Sequence, residues 1–335
     1  MSRPKPFTPF SDYLKEKHGQ KVHKLSIHAG FTCPNRDGSK GYGGCVYCNN
    51  ESFSPDAQTS RSVTEQILAG KKHLKATQNV HKFIAYFQSY TNTYAPLSQL
   101  KALYDEALAV PDVIGYSVGT RPDCISPEIL DLFADYQKQG KEVFVEYGIE
   151  SGTDKILDLI NRLHSVNEFI TAVRWAKDRG LRVIAHVILG LPQETEGEML
   201  ATVDLLAALD IDGIKIHPLH VVKHTILEAW YKRGQVTLMG QADYVRLTCD
   251  TLERLPPRAL IMRLHATSPL EILIDPPWCG RKWETLKMIE DEMRRRKTKQ
   301  GAKFAEARIR GLARLAVMDA APARKIALPM AVGVS

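Results

Sequence analysis

From about residue 80 the chain settles into a two-part rhythm. Short runs rich in β-branched and aromatic residues ("KFIAYFQSY", "VIGYSVGT", "EVFVEYGIE", "RVIAHVILG" and "GIKIHPLHVV") alternate with stretches of helical spacing. The helical partners are "PLSQLKALYDEALAV", "SPEILDLFADYQKQG", "TDKILDLINRL" with "NEFITAVRWAKDRG", "GEMLATVDLLAALD" and "TILEAWYKRG". An earlier unit, "KLSI" and then "VTEQILAGKKHLKA", brings the total to six. Such alternation predicts a parallel sheet joined by crossover helices. Gly140 and Gly180 stand where helical runs give way to the next strand, the place a helix-ending glycine takes.

The strands carry a second pattern. A parallel strand covered on both faces reads as a nearly continuous apolar run. Here polar groups interrupt at alternate positions: Glu146 and Glu150, His186, Lys215 and His217. Period two puts them on one face, and a curled sheet with a polar interior accounts for that face. The expected fold class is therefore α/β, a partial (β/α)6 barrel over residues 21–235 preceded by an N-terminal segment, 1–20.

Beyond residue 236 the rhythm stops. "QADYVRLTCDTLERL" reads as a helix, "LIMRLHA" as a strand and "RKWETLKMIEDEMRRRKTK" as a long charged helix, so residues 236–292 form an extension that closes the barrel or its mouth. In the remainder, 293–335, "AKFAEARIRGLARLAVM" has amphipathic helical spacing, and "AAPARKIALPMAVGVS" has the look of a disordered end.

Composition changes the picture in two places. The chain of 335 residues is 44% hydrophobic, enough for a sizeable core, and shows neither a signal-peptide pattern nor an apolar stretch of membrane-spanning length. The expectation is a cytosolic enzyme whose thiols stay reduced, where clustered cysteines mean metal or catalysis rather than disulfides. The net charge of +7 is also uneven: residues 293–335 hold eleven Lys and Arg against two acids, leaving the rest slightly negative. A basic tail on a near-neutral body suggests a polyanionic partner, against the plainer reading of a solubilising terminus.

Half of the six cysteines, Cys33, Cys45 and Cys48, fall in the glycine-rich stretch "GFTCPNRDGSKGYGGCVYCNN". Zinc in a structural site wants four tetrahedral ligands, so these three would need a partner such as His28 or Cys279. An iron–sulfur cluster is the other reading, and a Cys-x2-Cys pair suits either. Position favours the cluster: the loop follows the first strand, at the carboxyl end of the βα array, where barrel sites assemble. Three thiolates on a four-iron cluster leave one iron open to a cofactor or substrate, a vacancy that a closed zinc site lacks. The intervening glycines let backbone N–H groups turn toward the sulfurs, which helps set cluster potential.

The chain resembles the radical SAM enzymes. Their usual Cys-x3-Cys-x-aromatic-Cys motif keeps its second half here as "CVYC", with eleven residues instead of three before it. "GTRPDCI", "VEYGIESGTDKILDLINRLHS", "VILGLPQET" and "GIKIHPLHVV" resemble the third to sixth strand segments of that superfamily, especially its Elongator-like and oxygen-independent coproporphyrinogen-oxidase-like branches. "CPNRDGSKGYGGCVYCNN", "YFQSYTNTYAP" and "PPWCGRKWETL" are similar to the YhcC-type branch, over residues 20 to 300. The resemblance implies a [4Fe-4S] cluster on Cys33, Cys45 and Cys48, and S-adenosylmethionine (SAM) as cofactor. Tyr47 would lie near the adenine. Gln88, Ser89 and Tyr90 replace the Gly-Gly-Glu-like segment that holds the SAM amino group in most relatives. Glu150 and Ser151 would face the ribose, and Arg162 would pair with the SAM carboxylate, a task suited to a guanidinium fork.

Plainer roles stand beside these: Arg162 as a helix-surface arginine, Glu150 as a helix cap, His186 as a hydrogen-bonded interior histidine, Cys124 and Cys249 as buried thiols. Cys279, in "PPWCGRK", is the candidate for hydrogen donation or substrate contact. The activity implied is cleavage of SAM to a 5′-deoxyadenosyl radical, with a flavodoxin- or ferredoxin-like electron donor. The basic tail and the Elongator likeness point to tRNA, at carbon 5 of the wobble uridine. No further cluster of three or four cysteines appears, which argues against sulfur insertion. The alternatives are a radical enzyme acting on a small molecule such as a porphyrin precursor, and a zinc-dependent RNA-binding protein without catalysis.

Overall fold

A computed structural model describes residues 4–49 and 61–320. Six strands, β1 (Val22–Ile27), β2 (Lys82–Phe87), β3 (Val113–Thr120), β4 (Glu142–Glu150), β5 (Arg182–Leu189) and β6 (Gly213–Pro218), lie side by side in chain order, all parallel. A two-residue strand, β7 (Val221–Val222), pairs antiparallel with β9 (Leu273–Asp275). The seventh strand of the main sheet is β8 (Leu260–Arg263), parallel to β6. The sheet curls into a half-barrel, as the polar face of its strands requires.

Helices α2 (Val63–Gln78), α3 (Leu97–Ala109), α4 (Pro127–Lys138), α5 (Asp154–Leu159), α6 (Val166–Asp178) and α7 (Glu196–Ala208) connect the strands. Several start at serine or threonine caps; Ser165 with Glu168 and Thr195 with Glu198 form reciprocal capping boxes for α6 and α7. The expected helix ends hold, since Gly140 (φ 82°) and Gly180 (φ 69°) take the left-handed conformation after α4 and α6. "TDKILDLINRL" is shorter than its spacing suggests: α5 stops at Leu159, and Asn161 and Leu163 have positive φ. That break frees Arg162 from a helix surface.

Alternation along the strands sorts the core. Outward residues such as Val143, Val145 and Tyr147 on β4, or Val183, Ala185 and Val187 on β5, join the large cluster beneath the helices. Inward residues form layers. The lowest is apolar (Val22, Ile84, Phe144, Ile184 and Leu260) and is plugged by Phe10 and Leu14 of α1 (Phe10–His18). Each plug side chain contributes roughly 2 kcal/mol by burial. This helix also spans the split between the first and last strands, with Pro9 bridging Ile261 and the Ile261 amide donating to the Thr8 carbonyl at 2.9 Å. The N-terminal segment is thus the floor of the half-barrel.

Past the sixth strand come α8 (Ile226–Lys232), the helix of the sixth unit, then α9 (Gln241–Arg254), α10 (Lys282–Arg295) and α11 (Phe304–Ala320). "LIMRLHA" is β8, so the region after residue 236 contributes a strand of the barrel itself. From residue 293 the chain remains packed as far as Ala320, because α11 lies along α7. Gly311 makes that approach close: a Cβ there would meet the Asp204 carbonyl oxygen at 1.9 Å. The expected disordered end begins at Ala320, which closes α11, and from residue 321 it lies outside the described residues.

The basic residues of this region are largely paired with acids of the body. Arg294 meets Glu290, Arg296 meets Asp250 and Glu292, Lys303 meets Glu253, and Arg310 meets Asp204. Among the described residues, Lys297, Lys299 and Arg308 are exposed and carry no ion pair.

Candidate functional site

At the carboxyl ends of the strands lies a cavity of about 230 Å³, lined by residues from the cysteine loop, from every strand of the half-barrel after β1, and from Ala266 and Thr267. The cysteine loop forms one wall and is built to be rigid. Cys33 and Cys45 each accept a turn hydrogen bond at their carbonyl, from Arg36 (2.8 Å) and Cys48 (2.9 Å). The buried Asn35 side chain donates to the carbonyls of Asn161 (2.6 Å) and Arg162 (3.1 Å), and Asn161 returns a bond to the Gly44 carbonyl at 2.8 Å. Val46, buried between two cysteines, exchanges backbone bonds with Ile160 (3.0 Å) and Leu227 (2.8 Å). The loop is therefore fastened to the turn that carries Arg162.

All six cysteines are free thiols, and Cys33, Cys45 and Cys48 line the cavity. Arg162 is buried beside them, with Nη1 3.8 Å from Cys45 Sγ, Nη2 2.8 Å from the Gly148 carbonyl and 3.5 Å from Glu150 Oε1. Glu150 ends β4 in the left-handed conformation (φ 65°), at a register shift against β5, which turns its carboxylate toward the guanidinium. Gly148 leaves the space for both: a Cβ there would stand 2.4 Å from Glu150 Oε1 and 2.6 Å from Arg162 Nη2. Burial raises the Glu150 carboxyl despite the adjacent cation. It also pushes His164 down to about 3, with Arg162 adding to the effect, so the imidazole is neutral where its Nε2 meets the Gly148 carbonyl at 3.1 Å.

Of the residues singled out in the sequence, Tyr47, Gln88, Tyr90, Glu150 and Arg162 line this cavity together with the three cysteines. Ser89, Ser151 and Cys279 do not. Ser89 is buried, with a hydroxyl that has no partner. The Ser151 hydroxyl is committed to Glu194. Cys279 is fully buried in the short turn Pro277–Gly280, where burial pushes its thiol up to about 12 and its carbonyl accepts from His265 at 2.9 Å. Cys124 and Cys249 are buried thiols as expected. His28 points its buried Nδ1 at no partner, and its backbone is held by Gln66.

Two guanidinium groups near the cysteine loop, and Arg263 deeper in the cavity, were not singled out in the sequence. Arg36, in the cysteine loop, donates to the Cys48 carbonyl at 2.9 Å. Arg121, almost wholly buried, makes a bidentate pair with Asp123 at 2.9 and 2.8 Å. Burial alone would raise the Asp123 carboxyl, but Arg121 holds it well below the usual range. The signal for Arg121 was its place in "GTRPDC", directly after a strand that ends at the site.

Deeper in the half-barrel, the alternating polar residues meet. Glu146, fully buried, accepts from Lys24, Lys215 and Ser117, and from His186 Nε2 at 2.7 Å. Burial would raise its carboxyl, yet Lys215 and Lys24 hold it well below the ordinary value. Burial, then Lys215, pushes His186 down to about 4. The interior role expected of His186 is the one it has.

The donor set fits an iron–sulfur cluster with a small zwitterionic cofactor. Among the described residues no three His, Cys, Asp or Glu side chains close on a point, so the fit rests on chemistry rather than on preformed coordination. Burial and the neighbouring Cys45 push the Cys48 thiol up to about 11: crowded thiols resist ionisation until a cation joins them. Arg162 Nε and Arg121 Nη1 are buried without hydrogen-bond partners among the described residues, donors left for an anionic group.

A parallel half-barrel with a three-cysteine loop after its first strand defines the class of enzymes that cleave SAM on an iron–sulfur cluster. Residues 33–206 match the Radical SAM superfamily model and residues 211–295 match the Radical_SAM C-terminal domain. The chain belongs to the radical SAM superfamily.

Protein YhcC of Escherichia coli (strain K12) is 39% identical over 274 residues, 82% of this chain and 88% of that protein. Protein YtqA of Bacillus subtilis (strain 168) is 37% identical over 295 residues, 87% of this chain and 91% of its own length. More distantly, 159 residues are 29% identical to the tRNA uridine(34) acetyltransferase of Dehalococcoides mccartyi (strain CBDB1), covering 47% of this chain and 34% of that protein. Among solved structures, the archaeal Methanocaldococcus infernus Elp3 with an N-terminal deletion shares the fold, with a TM-score of 0.61 and 18% identity over 83% of this chain and 64% of that chain. No helix among the described residues is long and apolar enough to cross a membrane.

Proposed function

We propose that this radical SAM enzyme modifies carbon 5 of the wobble uridine of tRNA. The observation that carries the chemistry is the meeting of three free thiols with the buried Arg162 in one strand-end cavity. Cys33, Cys45 and Cys48 would hold a [4Fe-4S] cluster, and Arg162 and Glu150, with Tyr47, Gln88 and Tyr90, would hold SAM. Bound together and reduced by a flavodoxin- or ferredoxin-like donor, the two supply a 5′-deoxyadenosyl radical able to abstract hydrogen from an unactivated carbon.

The chain's own part is placement and exclusion of water. Arg162, fixed by the Gly148 carbonyl, presents a preset fork for a carboxylate, which lowers the cost of ordering the cofactor. The loop packing through Asn35 and Val46 keeps the thiols in place relative to that fork. The plug of Phe10 and Leu14 fills the opposite end of the half-barrel, away from the cavity at the strand ends. The tRNA reading is supported by the likeness to a tRNA uridine(34) acetyltransferase and by the surplus of basic residues after 293.

Anaerobically purified protein tests both parts. About four irons per chain, and 5′-deoxyadenosine formed from SAM and dithionite but absent with Cys48→Ala, is the expected result. One zinc and no cleavage would overturn the radical reading and leave a zinc-dependent RNA-binding protein. Mass spectrometry of nucleosides, from tRNA incubated with active enzyme, then reads the substrate: an unchanged uridine 34 would overturn the tRNA reading alone.

A further inference from the structure

The cavity is unequally charged along its depth. At the cysteine end Arg162 faces Glu150, Arg121 faces Asp123, and Arg36 is committed to the Cys48 carbonyl. At the deeper end the layer above the plug holds Lys24, Lys215 and Arg263 but one carboxylate, Glu146. Both Glu146 oxygens are already engaged, by Lys24 and Ser117 on one and Lys215 and His186 on the other. Nothing remains for Arg263. It sits in register with Lys215 across β6 and β8, lines the cavity, and has no acidic partner among the described residues.

A second observation comes from the same wall. His217 lines the cavity one inward step above Lys215, and its Nε2 is buried with no hydrogen-bond partner among the described residues. Its ring lies 6.0 Å from that of His186, tilted by 33°. Burial, then Arg263, pushes His217 well below its ordinary pKa, so the ring is neutral and its nitrogen is an uncommitted site for a hydrogen bond. A half-buried guanidinium without a counter-ion is costly, as is a buried donor left unmade. Both costs vanish on binding one compact anion. The fork of Arg263 suits the two coplanar oxygens of a carboxylate or two oxygens of a phosphate.

We propose that Arg263 and His217, beside Lys215, form a binding site for a compact oxyanion, a carboxylate or phosphate, carried by the substrate. The site lies in the half-barrel away from the cysteine loop, so it would fix the substrate from below while the opposite side of the cavity holds the cofactor. This deepens the reading of the cavity as a radical active site, since it names the charge of the group that enters it.

The test is calorimetric titration of the anaerobic holoenzyme with two probes, inorganic phosphate and acetate, at fixed ionic strength. At least one probe is expected to bind with a dissociation constant in the millimolar range, and the stronger of the two distinguishes a phosphate from a carboxylate source. Arg263→Gln should weaken binding at least tenfold, Arg263→Lys by less, and the exposed Arg308→Gln not at all. Because Arg263 is half-buried, a thermal melt of each variant accompanies the titration, and the wild-type titration stands without any variant. Binding of neither probe to wild type, or equal binding by a folded Arg263→Gln, overturns the proposal. Neither outcome touches SAM cleavage or the fate of uridine 34, and an unmodified uridine with anion binding intact would remove only the tRNA reading.

Discussion

Arg162 holds its Nη1 3.8 Å from the sulfur of Cys45, linking the turn after α5 to the cysteine loop. The same guanidinium lies within 3.5 Å of Glu150, so one side chain touches two of the groups expected to surround the cofactors. Arg162→Ala removes the fork while leaving all three thiols. Loss of a charge-assisted pair is worth roughly 2–3 kcal/mol, so SAM affinity should fall by roughly 30- to 150-fold with iron content unchanged. Arg162→Lys keeps the charge without the fork and should recover part of the loss. Equilibrium SAM binding with parallel iron analysis checks this, and unchanged affinity would return Arg162 to a purely structural role.

Cys279 separates a cysteine's position in sequence from its position in space. Its loop is unusual, yet the side chain is fully buried outside the cavity. Cys279→Ala should leave the rate of 5′-deoxyadenosine formation and the yield of modified substrate within about twofold of wild type. A thermal melt should show a loss of roughly 1 kcal/mol, from burial of a smaller side chain. Retained SAM cleavage with product abolished would restore it as a hydrogen donor.

Glu194 makes stability depend on pH. It follows β5, burial raises its carboxyl to about 7, and the Ser151 hydroxyl donates to one oxygen while the other is buried without a partner. An unfolded glutamate titrates near 4.5. Between these values the native state binds the proton more tightly than the unfolded chain does. Its stabilising contribution is therefore full below about pH 4.5 and is lost as pH rises through 7. The whole effect is at most roughly 3 kcal/mol. Glu194→Gln should thus stabilise the protein at pH 8, with the difference from wild type shrinking toward pH 5. Paired denaturant titrations at the two pH values measure it, and a constant difference would mean that Glu194 does not titrate in this range.

The strands and their inward face were legible because alternation is a local property. Glu146, His186 and Lys215 could be placed on one surface from spacing alone, and they share hydrogen bonds there. Lys24 belongs to the same network, and Ser26 follows it at period two in "KLSI", but the stretch is too short for that alternation to stand out. Arg263 was hidden for a different reason. Its strand follows the end of the βα rhythm, and pairing with β6 comes only after the short strand β7 and the helices α8 and α9. The plug was equally invisible: "PFSDYLKEKHG" has a weak helical pattern, and what makes Phe10 and Leu14 core residues is the open bottom of a half-barrel whose strands run from Val22 to Arg263. Asn35 is silent in sequence because its partners, the carbonyls of Asn161 and Arg162, are backbone groups that any residue would supply.

The basic region after residue 293 reads differently once its partners are in view. Arg294, Arg296, Lys303 and Arg310 are neutralised locally by acids of α7, α9 and α10, so they add little to the field felt by a polyanion. Lys297, Lys299 and Arg308 are the exposed cations left over among the described residues. A truncation after residue 292 would confuse two effects, since it also strips α11 from α7. The variant Lys297→Gln, Lys299→Gln, Arg308→Gln keeps the helix and removes only charge. If these side chains meet phosphates, the slope of log affinity for tRNA against log salt should fall by roughly two, with the melting temperature unchanged. An unchanged slope would move the phosphate contacts to another face of the protein.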